Sequence, residues 1–516
     1  MEGDILETER LQPASRSQSA VSTVLSILDA TVVRFAPTGA IWIFDHDKPS
    51  EMVGCLKDSF TKTLEAFPQW AGQLQWAPAR ENGSHTERFH RPMITYGLDS
   101  DPGVEWNVVQ LDSSPESVAP EPALRASDEL WIENFPQSSL MMSSTKLALH
   151  DLETFQGLPS MVVQITLLGS SGFAVAAKMA HPLGDAHALV LFMRRWASIC
   201  RDGLTKQDLT KDLAYPIFEP SSLDFRAAGD IDAHDGSPEL ISKARSLPLH
   251  RHDWWDTTAG HPATLGQATI NSKPKDAALL QKAMMSPAYP PPWESWHISN
   301  PVITSIIHFT GDELERLKKS ATGTIAKVSR LDALLAHVWA GINRARSPLL
   351  KSDDEVFLDF TLGIRARVSP SLPDTFVGSP LVLTYIGSSI GNVAAEDTKV
   401  GLIASKIRTC LDRFTPEAVA AILHEEAHEV APQRLWRAFL GRKHTLVTSW
   451  ARLGVYDIDF VGKGLRPRYV HAIMVAMDGL VCVMDSATLD GGVDISLCLE
   501  SETMERFLKD GRLRGF

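Results

Sequence analysis

Apolar positions change their spacing along the chain, and the changes mark out two folded halves. Gly39-Ala-Ile-Trp-Ile-Phe44 is a short apolar run of strand length. Leu56, Phe60, Leu64 and Phe67 then fall at i, i+4, i+8 and i+11, one face of a helix. Phe173-Ala-Val-Ala-Ala-Lys-Met-Ala180 reads as a buried strand, and Leu189, Phe192 and Trp196 follow at helical spacing. The pattern restarts at Ser305-Ile-Ile-His-Phe309, a predicted strand, where Thr310-Gly-Asp-Glu313 has the spacing of a capping box. Leu331, Leu334, Leu335, Val338 and Ile342 share one face of a further helix. Residues 481–484 and 493–499 predict strands, and a last helix is predicted around Met504.

Between the halves, residues 206–300 lose periodicity. Ala227-Ala-Gly-Asp-Ile-Asp-Ala-His-Asp-Gly236 and Ser286-Pro-Ala-Tyr-Pro-Pro-Pro-Trp293 break regular structure, with room for a short helix near Ala277. A crossover linker is the first reading. A lid bringing Trp254, Trp255, Trp293 and Trp296 to a ligand is the second. The expected organisation is a disordered segment over 1–20, an N-terminal domain over 21–205, a crossover over 206–300 and a C-terminal domain over 301–516. The fold class is α/β, each domain a mixed sheet flanked by helices.

A chain of 516 residues can bury two cores of this size. Its net charge of −13 argues against nucleic acid and anionic membranes as partners. Cys55, Cys200, Cys410, Cys482 and Cys498 are scattered, without zinc-ligand spacing, as in a reducing compartment. Residues 1–20 are polar and carry no apolar signal core, and no apolar run is long enough to span a membrane. A cytoplasmic location is expected.

Three stretches could carry chemistry. His424-Glu-Glu-Ala-His428 fits H-E-x-x-H, a pair of zinc ligands with Glu425 as base. Against it, no Glu follows Glu429 within 60 residues, and Asp457 and Asp459 are the first acidic candidates for a third ligand. Gly387-Ser-Ser389-Ile-Gly391 fits G-x-S-x-G, but a nucleophile elbow needs a helix directly after Ser389, and the chain continues Asn392-Val-Ala-Ala-Glu-Asp. His181-Pro-Leu-Gly-Asp185 sits where a strand ends and a helix begins. A histidine there can take a proton from a hydroxyl or amine near neutral pH.

The His181 stretch has company in a specific order. Leu25-Ser-Ile-Leu-Asp29, Leu56-Lys-Asp-Ser-Phe60 and Phe67-Pro-Gln-Trp-Ala-Gly72 precede it. Gly363-Ile-Arg-Ala-Arg367, Pro370-Ser-Leu-Pro373, Phe376-Val-Gly378, Thr448-Ser-Trp450 and Tyr456-Asp-Ile-Asp459-Phe460 follow. From about residue 25 to the end the chain resembles the BAHD superfamily of acyl-CoA-dependent acyltransferases, in particular its fungal, trichothecene-acetyltransferase-like members. It departs from the family's D-F-G-W-G element, reading Val461-Gly-Lys-Gly464 after Phe460, and Ala186 follows Asp185 where Gly is common.

The resemblance implies a chloramphenicol acetyltransferase-like pair of domains with the active site in a channel between them. It implies transfer of an acetyl or other small acyl group from acyl-CoA to a hydroxyl or amine of a fungal secondary metabolite, by a monomer with no metal or prosthetic group. His181 would be the general base. Asp185 would turn away and pair with Arg365, or failing that Arg367, as a structural lock. Thr448 and Trp450 would donate to the oxyanion. For the CoA phosphates the candidates are Ser329 at a helix start with Arg330, and Lys318, Lys319 and Lys327 nearby. A condensation-domain-like amide former ranks lower, because Ala180 stands where a doubled histidine is preferred. Intact His181 and Thr448 speak against a catalytically dead binding protein.

Overall fold

Two β-sheets carry the chain. The structure, a computed structural model, describes all residues except 1–2, 16–18, 122–129, 134, 206–212, 258–259, 263–271, 322–326, 396–398, 463 and 516. Strands Asp4–Leu11, Val104–Leu111, Met161–Leu168, Gly172–Met179, Thr38–Asp45 and Tyr469–Ala472 lie side by side in that order in the first sheet. Only Val104–Leu111 and Met161–Leu168 run parallel there. Every position of Met161–Leu168 is buried, and its two polar residues satisfy each other, Gln164 donating to the Thr166 hydroxyl at 2.8 Å. Helices Pro49–Thr63 and Ala186–Thr205 cover one face. Phe60 meets Trp196 with ring centroids 4.9 Å apart, and the Trp196 indole N–H donates to the Leu56 carbonyl at 3.0 Å.

The second sheet has the order Leu381–Ser389, Glu355–Gly363, His444–Ser449, Leu480–Asp485, Val493–Glu500, Val302–Phe309 and Leu130–Glu133. Its three strands Glu355–Gly363, His444–Ser449 and Leu480–Asp485 run parallel. Helix Arg330–Arg346 packs between Gly311–Ala321, Val400–Asp412 and Ser501–Leu508.

The expected domain boundaries change in three ways. Asp4–Leu11 forms an edge strand on Val104–Leu111 where disorder was expected over 1–20. Its apolar Ile5 and Leu6 are exposed and its support is backbone pairing, with Lys57 bonding Glu7 and Glu9, so hydrophobic periodicity carries no trace of it. Each sheet also takes an edge strand from the other half of the chain. Tyr469–Ala472 pairs with Thr38–Asp45, and Leu130–Glu133 pairs with Val302–Phe309.

The described part of 206–300 is well ordered. It holds helices Ser221–Asp224, Pro238–Arg245 and Ala277–Met284, and a two-residue strand, His252–Asp253, paired with Leu435–Trp436. Trp254, Trp255, Trp293 and Trp296 bury one another with Phe439.

Candidate active site

Strand Gly172–Met179 ends two residues before His181, which opens a single 3-10 turn, His181–Leu183, with Pro182 at its first positions. Helix Ala186–Thr205 starts three residues later, and the Asp185 carboxylate caps it by accepting from the Ala188 N–H at 3.0 Å. The histidine is thus fixed between a buried strand and a capped helix.

The second sheet closes the loop. Arg365 donates two parallel bonds to Asp185, Nη1 to Oδ2 at 2.6 Å and Nη2 to Oδ1 at 2.9 Å. It also donates to the Phe376 carbonyl, while the Asp185 N–H donates to the Gly378 carbonyl at 3.1 Å. Burial works to raise the Asp185 pKa, but Arg365 outweighs it and holds the carboxyl below its usual range. Arg367 points elsewhere, donating to the Leu411 and Phe414 carbonyls. The motif's carboxylate is therefore turned from the imidazole towards Arg365.

Three residues without a role in the sequence reading surround His181. Its Nδ1 lies 3.2 Å from the Ser379 hydroxyl oxygen, and that hydroxyl spends its one proton on the His181 carbonyl at 2.5 Å. Ser379 therefore accepts from Nδ1–H, and the lone pair falls on Nε2. Nε2 has no hydrogen-bond partner among the described residues. The Phe35 ring meets the imidazole edge-on at 5.5 Å. Asp29 holds Ser379 in place, its Oδ1 accepting from the Ser379 N–H at 2.7 Å and its Oδ2 from Ser26. Burial pushes the Asp29 carboxyl up to about 7 against these bonds. The signal was the Ser26/Asp29 pair in the opening motif, but its partner lies 350 residues away. Burial also lowers the His181 pKa below the ordinary imidazole value, opposed by the Asp185 charge.

Thr448 and Trp450 come to the same edge of the second sheet as Arg365. Phe360 sits beside Val447 in the parallel pair, so Gly363 and Thr448 reach one end together, and Val483 beside Ser449 ends there too. The carboxyl ends of parallel strands are where open α/β sheets bind ligands. The Thr448 hydroxyl has no partner among the described residues. Trp450 is buried in the first domain's core, its N–H donating to Val483 O at 2.8 Å from the backbone. From there the chain crosses to the first sheet. Phe460 is buried against Phe44 and Trp196, and Asp459 accepts from the Val461 and Gly462 N–H groups, so this element is a packed turn. Lys463 lies outside the described residues.

The expected CoA-side groups are less open. Ser329 caps helix Arg330–Arg346, but Asp332 already occupies that helix start and is paired with Arg408 at 2.7 Å. Arg330 lies 3.4 Å from Glu315. Lys318 and Lys319 fall in the last turn of Gly311–Ala321, and Lys327 is exposed just before Ser329. His187 reaches the Asp374 carbonyl at 2.6 Å.

The two rival motifs are spent on structure. His424 Nε2 accepts from the Ser237 N–H at 2.8 Å and its Nδ1 faces the Ala228 carbonyl at 2.6 Å. His428 faces two further carbonyls, and Glu425 is paired with Arg245 and Arg251. All four imidazole nitrogens thus face backbone groups, which leaves neither ring turned to a metal. Ser389 ends an edge strand with no base bonded to it among the described residues. Ser389→Ala is expected to leave thiol release from acetyl-CoA within about twofold of wild type, as for a substitution away from any special contact.

The model of the Transferase family matches residues 128–239 and 270–513, more than half of the chain. Acyltransferase AFT15-1 of Alternaria alternata is 24% identical over 100% of this chain and 98% of its own length. Acyltransferase abl6 of Leptosphaeria maculans is 24% identical over 93% of this chain and 90% of its own. Among solved structures, F. sporotrichioides TRI101 complexed with coenzyme A and T-2 superposes with a TM-score of 0.64 at 18% identity, covering 96% of this chain and 98% of that one. With the family pattern matched on both sides of the crossover and the fold shared along nearly the whole length, the chain belongs to the Transferase family, the BAHD superfamily of acyl-CoA-dependent acyltransferases.

Proposed function

We propose that the protein moves an acetyl or other small acyl group from acyl-CoA to a hydroxyl or amine of a fungal secondary metabolite, with His181 as general base. One observation carries this reading: Ser379 claims the Nδ1 side of the ring and leaves Nε2 unpaired at the seam of the two sheets. The fungal acyltransferase relatives, and TRI101 crystallised with CoA and T-2, support the donor and acceptor classes.

Nε2 takes the acceptor's proton as its oxygen or nitrogen attacks the thioester carbonyl. The tetrahedral oxyanion is stabilised by donors at the strand ends, Thr448 Oγ1–H and the Trp450 indole N–H. The intermediate collapses by breaking the C–S bond, and the departing thiolate takes the proton from the imidazolium. A thiolate leaves readily, so no acyl-enzyme is needed. Of the CoA-side candidates, Lys319 and Lys327 are favoured over Lys318, Ser329 and Arg330, which already have partners. The enzyme acts as a cytoplasmic monomer in this reading. Among the described residues no helix is long and apolar enough to cross a membrane.

Thiol release from acetyl-CoA with a panel of hydroxylated metabolites tests the proposal, wild type beside His181→Ala. Equal rates would overturn the base assignment. The pH profile gives a second check. A lowered His181 pKa keeps the ring neutral into mild acid. The acid limb of kcat/KM should therefore fall below about pH 6.5, the ordinary imidazole value. Ser379→Ala should shift that limb and lower kcat by roughly tenfold, as for one lost hydrogen bond. Ser379→Thr, which keeps the hydroxyl, should recover most of it.

A further inference from the structure

The crossover and the second sheet together bury a cluster of imidazoles around one carboxylate. Asp359, midway along Glu355–Gly363, has no exposed surface. His444, first in the neighbouring strand, places Nδ1 2.8 Å from Asp359 Oδ2. His250, from the crossover, places Nε2 3.0 Å from Asp359 Oδ1. That second contact is close but misaligned, and both atoms remain without a hydrogen bond. Two donor atoms that approach without pointing at each other have the geometry of ligands aimed at a shared centre. Beside them His252 stacks on His250 with centroids 4.9 Å apart, and both of its ring nitrogens are buried without a well-aligned hydrogen bond. Buried polar atoms without a well-aligned hydrogen bond thus gather in one place.

We propose that this cluster binds one divalent transition-metal ion, Zn²⁺ by the chemistry of its donors, with His250 Nε2, His444 Nδ1 and the Asp359 carboxylate as ligands. The three ligand atoms already lie within 4.8 Å of one another. Tetrahedral Zn²⁺ takes such nitrogens and oxygens at about 2.0–2.2 Å, which sets neighbouring ligand atoms roughly 3.3 Å apart, so the 2.8 Å His444–Asp359 contact opens slightly and the wider spacing closes. His252 is the next donor at hand, with water as the alternative fourth ligand. Binding moves the His444 proton from Nδ1 to Nε2 and leaves the ring neutral. An outer shell is present: the Tyr289 hydroxyl lies 3.1 Å from His250 Nδ1 and orients the ring. Phe357, Tyr385 and Phe439 wall the cluster from solvent.

The ion would pin the crossover to two strands that lead to the active site. Asp359 lies six residues before Arg365, and His444 four before Thr448. It is a stiffening site, separate from His424 and His428 and independent of the acyl-transfer reading. It also departs from the expectation of no metal. The competing account is a hydrogen-bonded His–Asp–His network that binds nothing.

The test uses the full-length protein, stripped with a chelator and equilibrated with Zn²⁺. One equivalent by elemental analysis is expected in wild type and in His428→Ala, and none in His250→Gln or Asp359→Asn. Zn²⁺ should raise the thermal midpoint of wild type and of His428→Ala, and leave His250→Gln and Asp359→Asn unmoved. Co²⁺ in wild type should give the intense visible ligand-field absorption of a tetrahedral site. Metal content equal in wild type and Asp359→Asn, or lost in His428→Ala and kept in His250→Gln, would overturn the proposal. Should the variants fail to fold, a Co²⁺ titration of wild type that produces no such absorption overturns it alone.

Discussion

Replacing His181 by Ala is expected to lower kcat for acyl transfer by ~10²–10⁴, the usual worth of a positioned general base. The loss should fall on kcat and leave the acyl-CoA KM near wild type, because the ring is placed to act on the acceptor's proton. Far-UV circular dichroism should be unchanged, since the imidazole is only partly buried and makes one side-chain hydrogen bond. Stopped-time thiol assays against a reactive acceptor would read the effect. A variant with the wild-type rate would move the proton transfer to another group. A variant that loses acyl-CoA binding would show that His181 shapes the pocket.

The second large effect is on stability. Arg365→Ala strips the partner from an Asp185 carboxylate whose side chain is 11% exposed. Leaving a buried charge unpaired costs about 3–5 kcal/mol, and that shift is expected in the first urea transition. Asp185→Asn should cost less, because the amide keeps the Ala188 cap and carries no charge. Arg365→Lys should fall between, since a lysine cannot reproduce the two-pronged bond. Arg367→Ala removes only bonds to two carbonyls, and about 1.5–3 kcal/mol is the most expected for it. Near-equal destabilisation by Arg365→Ala and Arg367→Ala would show that Asp185 is not the lock.

Much of this site could be seen in the sequence because its signals are local. A buried strand, a turn and an amphipathic helix flank His181 within 25 residues, and each has its own periodicity. The Arg365 partner came from motif order, since nothing in composition separates it from Arg367. Ser379, Asp29 and Phe35 were hidden because their contacts join three distant segments, and a serine beside a glycine looks like any turn. The H-E-x-x-H helix shows the opposite error: the spacing is right, but the histidine nitrogens are consumed by backbone groups of residues 228–237 and of His424 itself. The edge strand Asp4–Leu11 was missed because backbone pairing leaves no apolar pattern.

The traded edge strands bear on how the polypeptide tolerates being cut. A break within 206–300 would strand Tyr469–Ala472 on the wrong fragment and leave Thr38–Asp45, a fully buried ribbon but for its last residue, with an open flank. The other piece would lack Leu130–Glu133 and bare Val302–Phe309 in the same manner. Neither fragment is self-sufficient, so the two would need to be co-produced and to complement each other. A circular permutant opened at the crossover keeps both trades intact.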